Sequence, residues 1–237
     1  MFKRLIFASL LLCAAAFGQQ PEMIRTELVT VALNLRENTL YYRTGEEVKE
    51  FTAGMNGLGD PFPYLGPRRF ILHNSIDAFA PVKEGEQPPT PAAFIDLPKG
   101  ASRVLLVCVP LPDKSLRLIA YDVGKTSMKD GDYKVFNFSK SNLSIILGEK
   151  RFLVPTSKDV QVSDGSWQEG VLDLQCKIGI VGADNKTVTP VYSTLWGHRP
   201  IRRNMIFIFD GVSARGGVQV RRFYDVILPE RNESATQ

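Results

Sequence analysis

The sequence predicts an all-β protein made of two tandem β-sandwich domains of immunoglobulin-like size. Three observations support this class. Most apolar runs are short and rich in β-branched and aromatic residues, turns containing glycine or proline separate them, and two stretches recur 103 residues apart. Many short strands separated by such turns are typical of sandwiches and barrels. Beyond the N-terminal segment, no stretch has a convincing helical periodicity.

The first 18 residues have the pattern of a secretory signal peptide. Lys3 and Arg4 form a positive start, residues 5–16 an apolar run, and residues 16–18 (Ala-Phe-Gly) a small-x-small cleavage site. The apolar run is too short to anchor the chain stably in a bilayer. We therefore expect a bacterial exported protein without a membrane span, located in the periplasm, at the cell surface or outside the cell.

Charge and cysteine content limit the function classes. Removing residues 1–18 takes away two positive charges and no acids, so the formal net charge falls from +4 to about +2. This excess is too weak to indicate a nucleic-acid partner. The two remaining cysteines, Cys108 and Cys176, lie inside apolar strand-like runs, where a free thiol behaves as a small hydrophobic group. Export also permits a disulfide, so both states stay open.

The strands are predicted from periodicity. The run VLDLQCKIGIV (171–181) alternates strictly and is typical of a half-buried strand. Its apolar face would carry Leu172, Leu174, Cys176, Ile178 and Ile180. Similar β-rich runs are TELVTVALNL, RRFILHN, SLRLIAYDV, DYKVFNF, NLSIIL, MIFIF and VQVRRFYDVIL.

The repeat predicts how the domains are arranged. LNLRENTLYYRTGEE (33–47) aligns without gaps with FNFSKSNLSIILGEK (136–150), and Tyr-Asp-Val at 121–123 aligns with 224–226 at the same spacing. The shared Gly-Glu after an apolar strand predicts a hairpin turn in each half. We expect domain one at 24–125, domain two at 130–230, and a flexible tail at 231–237. A proline-rich loop at 75–94 would interrupt domain one.

The order of several segments along the chain allows a comparison with known protein families. They are PFPYLGPRRFILHN, FIDLPKGASRVLLVCVPL, GDYKVFNFSKSNLSIILGEKRFLVP, the isolated Trp196, and the closing MIFIF and VQVRRF. In this order the chain resembles a family of short exported β-rich proteins from planctomycete- and verrucomicrobia-like bacteria. The resemblance covers most of the mature chain. It implies export, and it implies no activity and no functional residues, because the family's function is uncharacterised.

Motifs for catalysis or metal binding are weak. Neither His73 nor His198 lies at zinc-ligand spacing to a second strong ligand, and no CxxC or GxSxG is present. We therefore expect no metal, no cofactor and no catalytic residues. A hydrolase acting on envelope polysaccharide stays an alternative, because two acids about 5 to 10 Å apart across a cleft cannot be recognised from sequence spacing.

The strongest candidate for ligand binding is LWGHRPIRRNMIFIF (195–209), which places one histidine and three arginines between apolar runs. One interpretation is a site for an anion or an acidic glycan, formed by His198, Arg199 and Arg202, with Trp196 and Trp167 as stacking surfaces. The other is a solvated basic connection between two strands, equivalent to PKGASR (98–103) in domain one. We expect the second interpretation to explain most of the stretch.

These features predict an exported, non-catalytic protein that binds or scaffolds a cell-envelope protein or a surface glycan. An accessory subunit of a secretion or appendage system, pairing through exposed strand edges, is an alternative. The sequence does not specify the oligomeric state.

Overall fold

A computed structural model describes residues 22–33, 39–55, 57–111, 113, 115–163, 167, 170, 172–211 and 217–226. The predicted signal peptide (1–18) and tail (231–237) lie outside these ranges. Within them the chain is all-β, as predicted, with sixteen strands and one short 3-10 helix at Ile76–Phe79. None of the described residues forms a helix long and apolar enough to cross a membrane.

The strands fall into two sets of eight. Unit one comprises β1 (Met23–Ala32), β2 (Leu40–Thr44), β3 (Glu47–Phe51), β4 (Phe62–Pro67), β5 (Arg69–Leu72), β6 (Ala93–Asp96), β7 (Arg103–Pro110) and β8 (Leu116–Asp122). Unit two comprises β9 (Tyr133–Asn137), β10 (Leu143–Leu147), β11 (Lys150–Val154), β12 (Asp159–Val162), β13 (Asp173–Val181), β14 (Val188–Gly197), β15 (Arg203–Asp210) and β16 (Val218–Asp225).

Both units follow the same strand order. Unit one has a sheet β4-β1-β7-β8 and two hairpins, β3-β2 and β5-β6, which an antiparallel bridge between Tyr41 and His73 connects. Unit two has sheets β12-β9-β15-β16 and β11-β10-β13-β14. The pairs β1–β7 and β9–β15 are parallel, and the other ladders are antiparallel. Immunoglobulin constant domains order their strands as 1-2-5-4 and 3-6-7, so the sheets are consistent with the predicted β-sandwiches and differ from immunoglobulin domains in strand order.

The sheets form four layers, and an apolar cluster fills each of the three spaces between them. One cluster fills unit one, a second fills unit two, and a third lies between the two central sheets. The third includes Tyr121 of β8 against Phe136 of β9, with ring centroids 4.6 Å apart. Strands β7 and β15 are buried on both faces over most of their length. This explains why VLLVCV and MIFIF are continuous apolar runs rather than alternating ones.

The outer strand β13 follows the predicted alternation. Leu174, Cys176 and Ile178 are buried, and the residues between them are exposed up to Lys177. Leu172 was wrongly predicted to lie on this buried face, because it precedes the strand and is 66% exposed. Ile180, near the other end, is half-buried. A half-buried strand of an outer sheet needs apolar side chains on one face alone, and β13 is such a strand.

The two predicted Gly-Glu hairpins are confirmed. Strands β2–β3 and β10–β11 are each joined by a two-residue turn that begins with a glycine, Gly45 or Gly148. Both glycines have φ of +58°, a left-handed conformation that costs glycine little and other residues more.

The spacing of 103 residues does not hold outside these hairpins. Strands β7 and β15 begin 100 residues apart, at Arg103 and Arg203. The adjacent ladders pair Leu105 with Tyr121 and Met205 with Phe223. Tyr121 therefore occupies the position of Phe223, and the predicted equivalence of the two Tyr-Asp-Val segments is off by one residue. Such a slip moves side chains to opposite faces.

Both cysteines in the described residues are free and buried. Burial raises the pKa of the Cys108 and Cys176 thiols to about 12. Cys108 packs in the core of unit one and Cys176 in the core of unit two. They serve as small apolar side chains.

The predicted proline-rich loop is shorter than 75–94, because its last two residues belong to β6. It begins with the 3-10 helix, and Phe79 at the end of that helix packs edge-on against the ring of His73, with centroids 4.9 Å apart. The guanidinium of Arg43 lies over the ring of Phe79, 5.4 Å from its centroid. The loop is therefore attached to the body of unit one.

Candidate functional site

The connection between β14 and β15 holds most of the predicted site residues. It runs from His198 to Arg202, and its side chains divide into two groups. His198 is buried, whereas Arg199 and Arg202 are exposed and Ile201 is 67% exposed. The predicted cluster is therefore partly interior and partly surface.

His198 supports the connection from inside. Its Nδ1 is 3.0 Å from the hydroxyl oxygen of Tyr133, a fully buried residue at the start of β9. Its ring stacks on Tyr133 and contacts Trp167 edge-on. Its backbone N–H donates to the carbonyl of Leu172 at 2.6 Å. These contacts fix the backbone that carries Arg199 and Ile201.

Trp196 is a core residue. It is 7% exposed and faces Leu174 across the ladder. When the strand pairing of the two units is compared, Trp196 of β14 corresponds to Leu97, which follows β6 in unit one. Leu97 is also buried. A ring buried in this way offers no open face to a sugar, so it fills the end of the sandwich.

Trp167 lies beside this core and is half-buried. Its ring meets Tyr133 edge-on, with centroids 5.9 Å apart. Its buried Nε1 has no hydrogen-bond partner among the described residues. Of the two tryptophans, Trp167 is the more accessible.

Arginine and aromatic side chains form a ladder on β16, which was not predicted from the sequence. Arg222 lies over Trp196, 5.0 Å from its ring centroid, and over Tyr224 at 4.7 Å. It also donates to the carbonyl of Gly197 at 2.6 Å and to Oδ1 of Asn204 at 2.8 Å. Period-two alternation along VQVRRFYD would have placed Arg222 and Tyr224 on one face.

Arg202 extends this ladder to the surface. Its guanidinium lies 5.0 Å from the centroid of Tyr224, on a ring that also contacts Arg222. Tyr224 is 44% exposed. Arg199 instead donates to the carbonyl of His198 at 2.7 Å and stays exposed. Two positive charges therefore face solvent at this end of unit two.

The third arginine of the stretch is structural. Arg203 is fully buried and pairs with Asp225, and it donates to the carbonyls of Val123 and Met128. Burial lowers the pKa of its guanidinium, and the carboxylate of Asp225 opposes this shift. Arg203 thus ties the junction between the units to β16.

Arg103 has the equivalent place at the start of β7. Its guanidinium pairs with Glu27 of β1 and, at 2.8 Å, with the same Asp225. We predicted that the basic connections at 98–103 and 198–204 have solvated faces. This is wrong for Arg103 and Arg203, which are buried because Asp225 lies between them and compensates their charges.

An exposed surface remains at the end of unit two. We call Leu172, Arg199, Ile201 and Arg202 the end surface. Leu172 and Ile201 are 66% and 67% exposed, and Leu172 accepts the hydrogen bond from the backbone of His198. Arginine is enriched among the residues that dominate protein interfaces, and exposed apolar side chains next to it add contact area.

Among the described residues, no group of three or more His, Cys, Asp and Glu side chains is arranged to hold a metal ion. No protein-family model matches the chain, and no curated protein matches it significantly.

Proposed function

We propose that this is an exported, non-catalytic β-sandwich protein that binds another protein of the bacterial cell envelope through the end surface. The observation that carries the proposal is the exposure of Leu172 and Ile201 beside the charged Arg199 and Arg202. Interface hot spots are enriched in arginine and aromatic residues, and apolar contacts supply most of the area that such interfaces bury.

The order of the residues that flank the end surface supports this role. His198, Trp196 and Arg203 are buried, and the backbone N–H of His198 donates to the carbonyl of Leu172. A surface that is already ordered loses little conformational entropy on binding, so more of the contact energy appears as affinity. Acidic residues on the partner would match the charges of Arg199 and Arg202.

We further infer that the two units arose by duplication of one eight-stranded unit. The identical strand order and the matching Gly-Glu hairpins support this inference. The pattern of residues 1–18 and the resemblance to exported proteins support export.

An acidic surface glycan is the second candidate ligand. The exposed guanidinium groups of Arg199 and Arg202 favour it, because arginine binds carboxylates and phosphates in bidentate geometry. The burial of Trp196 argues against a stacking site for neutral sugars.

The test compares the end surface with its counterpart in unit one. The exported protein is immobilised and incubated with envelope extract, and retained proteins are quantified by mass spectrometry. A variant carrying Arg199→Glu, Ile201→Ser and Arg202→Glu should lose about 90% of one stoichiometric partner. The matched control, Lys99→Glu in the connection between β6 and β7, should retain it.

Equal retention by both variants would contradict the proposed site. Retention of an acidic polysaccharide instead of a protein, lost in the triple variant, would establish the second candidate. Turnover of envelope polysaccharide by the purified protein would contradict a non-catalytic role.

A further inference from the structure

Strand β14 forms one edge of the outer sheet of unit two. It is ten residues long and its sequence, VTPVYSTLWG, contains no charged residue. Val188 and Leu195 are exposed, Leu195 by 68%. Natural proteins usually protect strand edges with charges, with proline, or by keeping the strand short, because a free edge pairs readily with another chain.

The backbone of β14 presents hydrogen-bonding groups to this open side. His198 N–H bonds to Leu172, so residues 192, 194, 196 and 198 direct their backbone groups toward β13. In an antiparallel pair the residues between them point the other way. Ser193 and Leu195 therefore direct N–H and C=O outward, and no backbone hydrogen bond reaches them within the described part of the chain. The carbonyl of Gly197, at the end of the strand, accepts a hydrogen bond from the guanidinium of Arg222 at 2.6 Å.

Unit one protects the equivalent edge. Strand β6 has four residues, and its ladder places Phe94 and Asp96 where unit two has Ser193 and Leu195. Asp96 carries a charge on the edge and pairs with Arg69 at 3.0 Å. Arg69 also covers Phe94, at 5.4 Å from the ring centroid. None of these devices is present at the two equivalent positions of β14.

We propose that β14 binds an extended segment of the partner protein by strand addition, over residues 191–196. This inference rests on the proposed function, because it specifies how the partner of the end surface is held. Pro190 and the bulge between Ile178 and Gly179 end the regular edge on one side. On the other side β14 leads into the exposed Arg199 and Arg202.

The geometry specifies the chemistry of the added segment. It should be uncharged and β-branched along Ser193 and Leu195, since an added strand places its side chains beside theirs. It should carry an acidic residue at the end that reaches Arg199, because a carboxylate there meets an exposed guanidinium. Main-chain hydrogen bonds would supply affinity and the acidic end would set direction.

The experiment removes one outward N–H. Ser193→Pro deletes a donor that faces solvent and leaves the ladder to β13 intact, so the melting temperature should stay near that of the unchanged protein. Retention of the partner should fall about tenfold. The matched variant Phe94→Pro, at the equivalent edge position of unit one, should retain the partner.

A second variant and a defined probe complete the test. Leu195→Lys places a charge on the edge without changing the backbone, and it should also reduce retention of the partner. This variant tests the edge independently if Ser193→Pro does not fold. The probe is an acetylated peptide of four Thr-Val repeats followed by two glutamates. It should slow amide hydrogen exchange at Ser193 and Leu195, and the same peptide ending in two lysines should do so less.

The outcomes separate this inference from the proposed function. If the end-surface variant loses the partner while Ser193→Pro and Leu195→Lys keep it, strand addition is wrong and the proposed function stands. If the unchanged protein retains no partner and the peptide leaves exchange unaltered, both are wrong. Slowed exchange at Phe94 rather than Ser193 would also overturn the assignment to β14.

Discussion

Strands β6 and β14 occupy the same place in the two units and differ in how they meet the neighbouring sheet. In unit one, β6 lies alongside β8, and the side chains at this seam include the small Ala93 and Ala120. In unit two, the ladders place Tyr192 and Arg222 at these positions, and β14 lies further from β16. With the same strand order, the edge of the outer sheet is covered on this side in unit one and open in unit two.

The difference follows from side-chain volume. Two alanines allow the backbones of facing strands to approach, whereas a tyrosine and an arginine fill the space between the sheets. Arg222 then binds the carbonyl of Gly197 and the ring of Trp196, so the larger seam is itself ordered. One topology can therefore supply a protected edge and an edge available for binding.

The largest expected effect comes from the contact that the two units share. Asp225→Asn removes the charge that compensates buried Arg103 and Arg203. Because breaking a buried ion pair leaves uncompensated charge, the free energy of unfolding should fall by about 3 to 5 kcal/mol. Urea denaturation measures it. A loss below about 1 kcal/mol would show that the two arginines need no common partner.

The next largest effect is expected from a substitution that gives unit two the residue found in unit one. Trp196→Leu introduces the residue that unit one has at the equivalent position, Leu97. It removes ring volume from the core and the stacking surface of Arg222, so stability should fall by about 2 to 4 kcal/mol. The reverse change, Leu97→Trp, should also destabilise through overpacking. Unchanged stability of Trp196→Leu by thermal denaturation would mean that the ring does not fill the core.

A smaller effect compares the two hairpins. Gly45→Ala and Gly148→Ala both force alanine into φ of +58°, which costs about 1 to 2 kcal/mol. A Cβ at Gly45 meets open space, whereas a Cβ at Gly148 lies 3.1 Å from Cδ2 of Leu174 and 3.2 Å from Cζ3 of Trp167. Gly148→Ala should therefore be the more destabilising of the pair. The opposite order in urea denaturation would contradict the packing of Trp167 on this turn.

The smallest expected effect is a pH dependence of stability that arises from His73 in unit one. Burial lowers the pKa of His73 below its ordinary value of 6.5, while a hydrogen bond with the backbone of Thr90 opposes the shift. The unfolded chain then binds more protons than the folded chain just below pH 6.5, so stability should fall as pH decreases through this window. His73→Gln should remove part of this dependence. An identical pH profile for the variant would exclude His73 as its source.

The sequence predicted the features that depend on local patterns. Alternation identified β13, and Gly-Glu identified both hairpins, because period two and a positive φ leave direct signals. Strand order and register depend on contacts between distant segments, so the sequence did not predict the strand order, and it misplaced the register at Tyr121 by one residue. Likewise, three neighbouring arginines look alike in sequence, and burial of Arg203 follows from Asp225, which is distant in the chain.

The surroundings of the predicted site residues also depend on distant segments. Arg199 and Arg202 are exposed, but the roles of Trp196 and His198 depend on Tyr133 and Arg222, which come from other strands. Exposure of Leu195 and Ile201 likewise depends on which edge and end of the sandwich they occupy.

Residue-resolved amide hydrogen exchange of the free protein tests the open edge of unit two most directly. We predict fast exchange at Ser193 and Leu195, whose N–H groups face outward, and slow exchange at Thr194 and Trp196, which bond to β13. Equal protection at all four residues would contradict an open edge, because it would mean that β14 is already paired on both sides.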